Sequence, residues 1–422
     1  MGTIVMTHAN TPAIKAFDPR GLGVRDIAYH RRDSASSPEP YISQQVYDMA
    51  GRAVLSRDPR LFLMNPPAAN QLNVLSLSCS VLLSENSDAG WRLGLLGVDG
   101  QGVEGGDQKL SHSRVDYDIR RRPTATFELA LGGPEHCTAR LSYADTSADA
   151  VHNRRGQLIC HDDTADTVHL TEFSLNGTAF QHSRTFIADP QWTVDCPETE
   201  AERDALLGKE PAVTRLHCNA AGEPISQTDA LGNRQTYIQT CAAQLREVRL
   251  KLAGSADEKT LVSEIHYNVF GQIERQRAGN GVVSCATYRP EDGRLERLKA
   301  FVPGQPALQH LTYNYDTVGN ITCITDAVEA KHFHRNQRIE PNNCYRYDSL
   351  YRLIEPSGRQ VRNAPGGPQL PPFQSDADLA QVENYSRIYR YDQAGNLVVT
   401  QHHANSASRT EPNRTYSHRP FQ

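Results

Sequence analysis

A tyrosine-aspartate signature recurs along this chain at irregular intervals. It is clearest in Tyr315-Asp316-Thr317-Val318-Gly319-Asn320-Ile321 and Tyr391-Asp392-Gln393-Ala394-Gly395-Asn396-Leu397. A short unit repeated many times in one polypeptide describes a wall of like elements more naturally than a single catalytic pocket.

The residues of one unit dictate its local structure. In Ser386-Arg387-Ile388-Tyr389-Arg390-Tyr391, Tyr389 and Tyr391 stand two apart and share one face of a strand, with Ile388 and Arg390 on the other. Asp392 can fold its carboxylate onto nearby backbone N–H groups and Gly395 can take positive φ. Asp392 to Asn396 is therefore predicted to reverse the chain before Leu397 and Val399 resume the alternation. The unit is a β-hairpin. Its tyrosines are read as packing residues that stack across neighbouring strands, not as reactive phenols.

The same grammar drifts elsewhere, in Tyr47-Asp48-Met49-Ala50-Gly51-Arg52, Tyr267-Asn268-Val269-Phe270-Gly271-Gln272-Ile273 and Tyr347-Asp348-Ser349-Leu350-Tyr351-Arg352-Leu353. Weaker versions are Asn219-Ala220-Ala221-Gly222 and Asn153-Arg154-Arg155-Gly156-Gln157-Leu158. Tyr347 follows Tyr315 by 32 residues and Tyr391 follows Tyr347 by 44, so the spacing is not that of a strict solenoid. The expected fold is all-β, a curved sheet of hairpins with variable loops.

Composition agrees. With 38% hydrophobic residues and a mean hydropathy of -0.57, the chain is too polar for one thick core but suits a sheet whose strands each keep a wet face. A net charge of -5 argues against a dedicated nucleic-acid surface, and Arg120-Arg121-Arg122-Pro123 reads as a solvated strand end. No apolar run reaches the roughly 20 residues of a membrane-spanning helix. The most apolar stretch, Leu72 to Leu83, alternates with serines and is predicted to be one half-buried strand. Met1 to Phe17 lacks the pattern of a standard secretory signal. Synthesis in a cytoplasm and release by another route are expected.

Nine cysteines without Cys-x-x-Cys spacing favour reduced, buried thiols over a disulfide scaffold or a zinc ribbon. His332-Phe333-His334 and His161-Asp162-Asp163 carry metal-ligating types but lack third and fourth partners at a known spacing, so no metal or cofactor is expected. Gly94 to Gly102 contains neither Gly-x-Gly-x-x-Gly nor Gly-Lys-Ser/Thr and reads as two adjoining hairpin turns. No Gly-x-Ser-x-Gly or His-Glu-x-x-His is present, and an enzyme is not expected.

Residues 1–13 are expected to be a flexible N-terminus, and 14–403 the repeat region. Within it 63–210 is less regular, one short surface helix lies between Pro197 and Lys209, and 356–378 forms a proline-glycine loop. Residues 404–422 read as a polar tail with no closing element.

Several passages carry a family resemblance: Asp18-Pro19-Arg20-Gly21-Leu22-Gly23-Val24-Arg25-Asp26-Ile27, Gly279-Asn280-Gly281-Val282-Val283 with Tyr288-Arg289-Pro290-Glu291, and above all Arg335-Asn336-Gln337-Arg338-Ile339-Glu340-Pro341 followed by Tyr345 to Leu353. They resemble the Rhs/YD-repeat family and, within it, the C component (TccC-like) of the bacterial insecticidal Tc toxin complexes. The resemblance implies a spiralling β-sheet that forms part of a hollow shell around a toxic C-terminal segment. It also implies a B-type shell partner and delivery, as a secreted virulence complex, through a pore-forming A component. Family members continue into further repeats, self-cleavage aspartates and a toxin. The chain is accordingly read as an amino-terminal part without them, and Asp18, Asp58 and Asp189, each before a proline, are read as turn residues. The alternative function is a YD-repeat surface recognition or carbohydrate-binding adhesion module.

Overall fold

The computed structural model describes residues 7–64, 68–148, 150–189, 195–329, 331–334, 337–361, 382–404 and 414–417. Among them, 29 strands form a single sheet that begins at Ala13–Phe17 and reaches Arg414–Ser417. Each strand pairs antiparallel with the strand before it and the strand after it in the chain, from Ala13–Phe17 with Gly23–His30 through to Leu397–Ala404 with Arg414–Ser417. The alternation of side chains and the short Asp/Gly turns make local pairing the cheapest solution, because no long loop has to be closed. The one departure is the hairpin of His332–His334 with Gln337–Ile339, which stands off the main sheet between Ile321–Asp326 and Asn342–Tyr347.

A simple meander has two rims. Successive connections alternate between them, so every Tyr-Asp and Tyr-Asn turn opens on one rim, here called the signature rim. The connections at 31–38, 108–111, 130–134, 229–233 and 252–257 open on the other, the loop rim. The Asp229 turn, which follows Thr228 rather than a tyrosine, is on the loop rim. The core is thin, as the composition requires. One small buried cluster of Ala125, Cys137 and Cys196, with Phe127 against it, forms where the segment 195–211 lies over the sheet.

Several expectations need correction. Leu72 to Leu83 is two strands, Gln71–Leu75 and Val81–Asn86, because Ser76 plays the aspartate part: its Oγ accepts from Ser80 N at 3.1 Å and Cys79 takes φ 68°. Gly94 to Gly102 holds one hairpin turn, 97–101, between Gly90–Leu96 and Gly102–Asp107. The predicted irregularity of 63–210 is confined to its connections, since regular strands run from Gln71–Leu75 to Ala179–Phe186. Residues 7–12, within the expected flexible N-terminus, are tied down: the His8 ring stacks on Tyr351 at 5.1 Å and Ala9 O accepts from Arg31. The strand Leu353–Val361 enters the predicted loop, of which 362–378 lies outside the described residues. The strand Arg414–Ser417 lies in the expected polar tail.

The expected helix is Glu200–Asp204, capped by Thr199, but it is not wholly a surface element. Its Arg203 is buried and pairs with Asp162 at 2.8 Å. Asp58, read as a turn residue, caps a helical turn at Pro59–Phe62. The thiol reading also changes: Cys323 and Cys344 face each other on paired strands and are disulfide-bonded, while Cys79 and Cys241 are exposed. Burial pushes the Cys160 and Cys196 thiols up to about 12, which leaves them inert.

Candidate functional site

The signature builds a hydrogen-bonded rim. The acidic or amide side chain at the head of each turn folds back onto the turn's own backbone: Asp316 Oδ1 accepts from the N–H groups of Val318, Gly319 and Asn320 at 2.8 to 3.1 Å. Asp48, Asn268, Asp348 and Asp392 accept in the same way from Arg52, Gln272, Arg352 and Asn396. The backbone N–H of each head residue donates to the carbonyl four residues on, which closes the turn. Gly51, Gly271, Gly319 and Gly395 supply the positive φ that the fourth position demands; at Gly395 it is 93°.

The tyrosine before each turn does something the sequence reading missed. Its hydroxyl donates to the carbonyl of the first residue of the preceding strand: Tyr47 to Gly23 at 3.1 Å, Tyr267 to Leu245 at 2.7 Å, Tyr315 to Leu295 at 2.7 Å, Tyr347 to Ile321 at 3.0 Å and Tyr391 to Leu353 at 2.8 Å. Tyr117 and Tyr288 make the same bond, to Gly102 and Ile273. Each hairpin is thereby stapled to the one before it. Among the described residues none of these tyrosines stacks on another aromatic ring; Tyr315 and Tyr391 instead lie beneath the guanidinium groups of Arg294 and Arg352. The partners seen are backbone carbonyls and arginines, not the aromatic rings of neighbouring strands.

Arginines supply the complementary forward link. Arg20 donates to Asp48 O, Arg52 to Ser76 O, Arg122 to Gly156 O, Arg294 to Val318 O and Arg352 to Asp392 O, each reaching the next turn along the rim. Arg120-Arg121-Arg122 is therefore part of a signature turn headed by Asp118, not a plain solvated strand end. The Tyr117-Asp118 pair was visible in the sequence. It lacks the familiar spelling of the signature because Arg121, with φ 61°, stands where glycine stands elsewhere.

One turn of this rim is buried at its first two residues, Asp348 and Ser349. The sheet winds until the turn 348–352 meets the loop rim at residues 29–31. There the Ser349 hydroxyl donates to Tyr29 O at 2.9 Å and accepts from Arg31 N at 2.7 Å, while Ser349 N donates to Arg31 O at 2.9 Å. Asp348 is fully buried between the His30 imidazole at 3.4 Å and the Arg352 guanidinium at 2.8 Å. Tyr41 completes the clasp, its hydroxyl 3.2 Å from His30 Nδ1. Burial would raise the Asp348 carboxyl, but the hydrogen bonds from His30 and Arg352 outweigh it and hold the group below the ordinary carboxylate value.

Asp162, one of the residue types considered for metal binding, is occupied by Arg203 and by the Thr167 hydroxyl at 2.6 Å. The side chains of His332 to His334 lie outside the described residues, and among those described no group of three His, Cys, Asp or Glu side chains converges. Among the described residues, too, no helix is long and apolar enough to cross a membrane.

No known family description matches the chain. Over 431 residues it is 33% identical to Toxin subunit YenC2 of Yersinia entomophaga, a match that takes in 95% of this chain and 44% of that protein. The structure of TcdB2-TccC3 superposes with a TM-score of 0.88 at 32% identity, over 97% of this chain and 20% of that one. The Photorhabdus luminescens Tc holotoxin pore gives a TM-score of 0.88 at 32% identity, over 96% and 19%. The chain thus spans less than half the length of the curated relative.

Proposed function

We propose that this chain, which belongs with the C-type, Rhs/YD-repeat subunits of bacterial Tc toxins by its homology and its fold, forms part of the wall of a shell that encloses a toxic C-terminal segment. On this reading it assembles with a B-type component, and delivery follows through a pore-forming A component. The region 14–403 acts as one structural body. The observation that carries the proposal is the signature rim, where tyrosine and arginine staples join neighbouring hairpins, among them Arg20 to Asp48 and Arg352 to Asp392, and a winding is closed by Ser349 on Arg31. Such a surface encloses space with backbone pairing and needs no thick core. Co-expression with a B-type component followed by size-exclusion chromatography tests it: a single co-eluting species is expected, and separate elution of two folded proteins would contradict it. The adhesion alternative is weaker, because the signature tyrosines hold their hydroxyls on backbone carbonyls.

A further inference from the structure

The strand that carries the clasp meets its neighbour in a short ladder that ends in a covalent bond. Asn342–Tyr347 runs directly into Asp348 and Ser349, and its partner on the side of the chain's beginning is Ile321–Asp326. Three residue pairs register between the two strands: Thr325 with Asn342, Ile324 with Asn343 and Cys323 with Cys344. The strands are connected not by a tight turn but through the separate hairpin of His332–His334 with Gln337–Ile339. The last pair, the one nearest the clasp, is the Cys323–Cys344 disulfide. Beyond it, toward the signature rim, the Tyr347 hydroxyl donates to Ile321 O at 3.0 Å. Cys344 stands four residues before Asp348, so what anchors it also anchors the approach to His30 and Arg31.

The two sulfurs are also the ones a redox reagent can use. Cys323 and Cys344 are half-buried and directly opposed, whereas Cys137, Cys160 and Cys196 are free and buried, and Cys79 and Cys241 are free at separate exposed turns.

We infer that Cys323–Cys344 is a redox latch on the clasp. Oxidised, it confines the strand Asn342–Tyr347 and presents Asp348 and Ser349 to the loop rim in register. Reduced, it leaves a three-pair ladder and one tyrosine hydroxyl to do so, and the opened clasp gains the conformational freedom that the cross-link had removed. Locking is thiol–disulfide exchange with a small disulfide such as that of glutathione. One cysteine thiolate attacks a sulfur of the small disulfide and expels a small thiolate. The second cysteine thiolate then attacks the mixed disulfide at the protein sulfur. Two small thiols leave with the two electrons and two protons that the cysteines lose. A thiol-rich compartment favours the loose winding and an oxidising one the locked winding. The latch acts within one chain, whatever that chain assembles with.

The test is amide exchange on the full chain, oxidised and then treated with dithiothreitol. Exchange at 29–31 and 349–352 is expected to rise roughly tenfold or more on reduction, while the turns headed by Asp48 and Asp118 keep their rates. Glutathione disulfide should restore the slow exchange. Cys323→Ser with Cys344→Ser should show the fast rates at the clasp with or without reductant, and Cys79→Ser with Cys241→Ser should respond as the unmodified chain does. Acceleration confined to 323–326 and 342–345 would overturn the latch and leave a local staple. Equal acceleration throughout the sheet, or unfolding of the whole chain on reduction, would overturn it in favour of a general stabiliser.

Discussion

The backbone N–H of Arg31 donates to the Ser349 hydroxyl at 2.7 Å across 318 residues of sequence. Almost every other contact in the sheet is between neighbours in the chain. This one closes a winding, and it does so at the signature turn whose aspartate is fully buried.

Asp348 and Asp392 head the same kind of turn in different surroundings, so removing them should separate local from long-range roles. Asp348→Ala leaves His30 and Arg352 facing an empty buried site and should cost about 3 kcal/mol. Asp392→Ala removes a cap in an exposed turn and should cost about 1 kcal/mol. Urea unfolding of the two variants measures the difference; equal losses would deny the clasp a structural role.

Tyr315→Phe deletes one hydroxyl and keeps the ring, so it should lower stability by about 1 kcal/mol and speed amide exchange near Leu295. Tyr267→Phe should do the same near Leu245. The two sites share no partner, so their effects should add. No change in either variant would return the tyrosines to simple packing.

Positive φ at the fourth turn position favours glycine. Gly395→Ala, at φ 93°, should destabilise by about 1 kcal/mol, whereas Arg121→Gly, at φ 61°, should be neutral or stabilising despite losing an exposed ion pair with Asp99. Thermal melts of the two variants should move in opposite directions or, at the least, not both downward.

Acid should open the clasp before it melts the sheet. Asp348 is held below its ordinary value of 3.8, so its contribution is complete above that pH and is lost as pH falls below 3.8 through the lower folded value. Amide exchange at 29–31 and 349–352 followed from pH 5 downward should accelerate in that window, and Asp348→Asn should remove the dependence. Acceleration that begins on the alkaline side would reverse the assigned sign.

The Cys323–Cys344 bond closes a loop with a sequence separation of 21 residues. Reduction should cost about 3 kcal/mol on the loop-entropy estimate, and a non-reducing peptide map should recover the two cysteines linked. Alkylation of both thiols without reductant would remove this feature.

Much of the fold was legible because the turn chemistry is local. An aspartate or asparagine followed by a glycine fixes a hairpin wherever it falls, and Asp48, Asp316 and Asp392 all do so. The misses share a physical cause. At Ser76 a hydroxyl replaces the carboxylate, and at Arg121 and Cys79 a side chain tolerates the left-handed backbone, so identical geometry carried no familiar letters. The clasp was invisible for another reason. Ser349 reads as an ordinary turn residue, and only the accumulated curvature of the sheet brings it to Arg31. The disulfide depended likewise on the hairpin of His332–His334 with Gln337–Ile339, which stands off the main sheet while Cys323 and Cys344 pair across it.

The meander winds back onto its own beginning, with Ser349 seated on Arg31. The most direct measurement is peptide mapping of the full chain carrying Arg31→Cys and Ser349→Cys after mild oxidation. A 31–349 cross-link in the monomer is predicted, whereas full alkylation of both introduced thiols in a folded protein, with no such link, would contradict the winding.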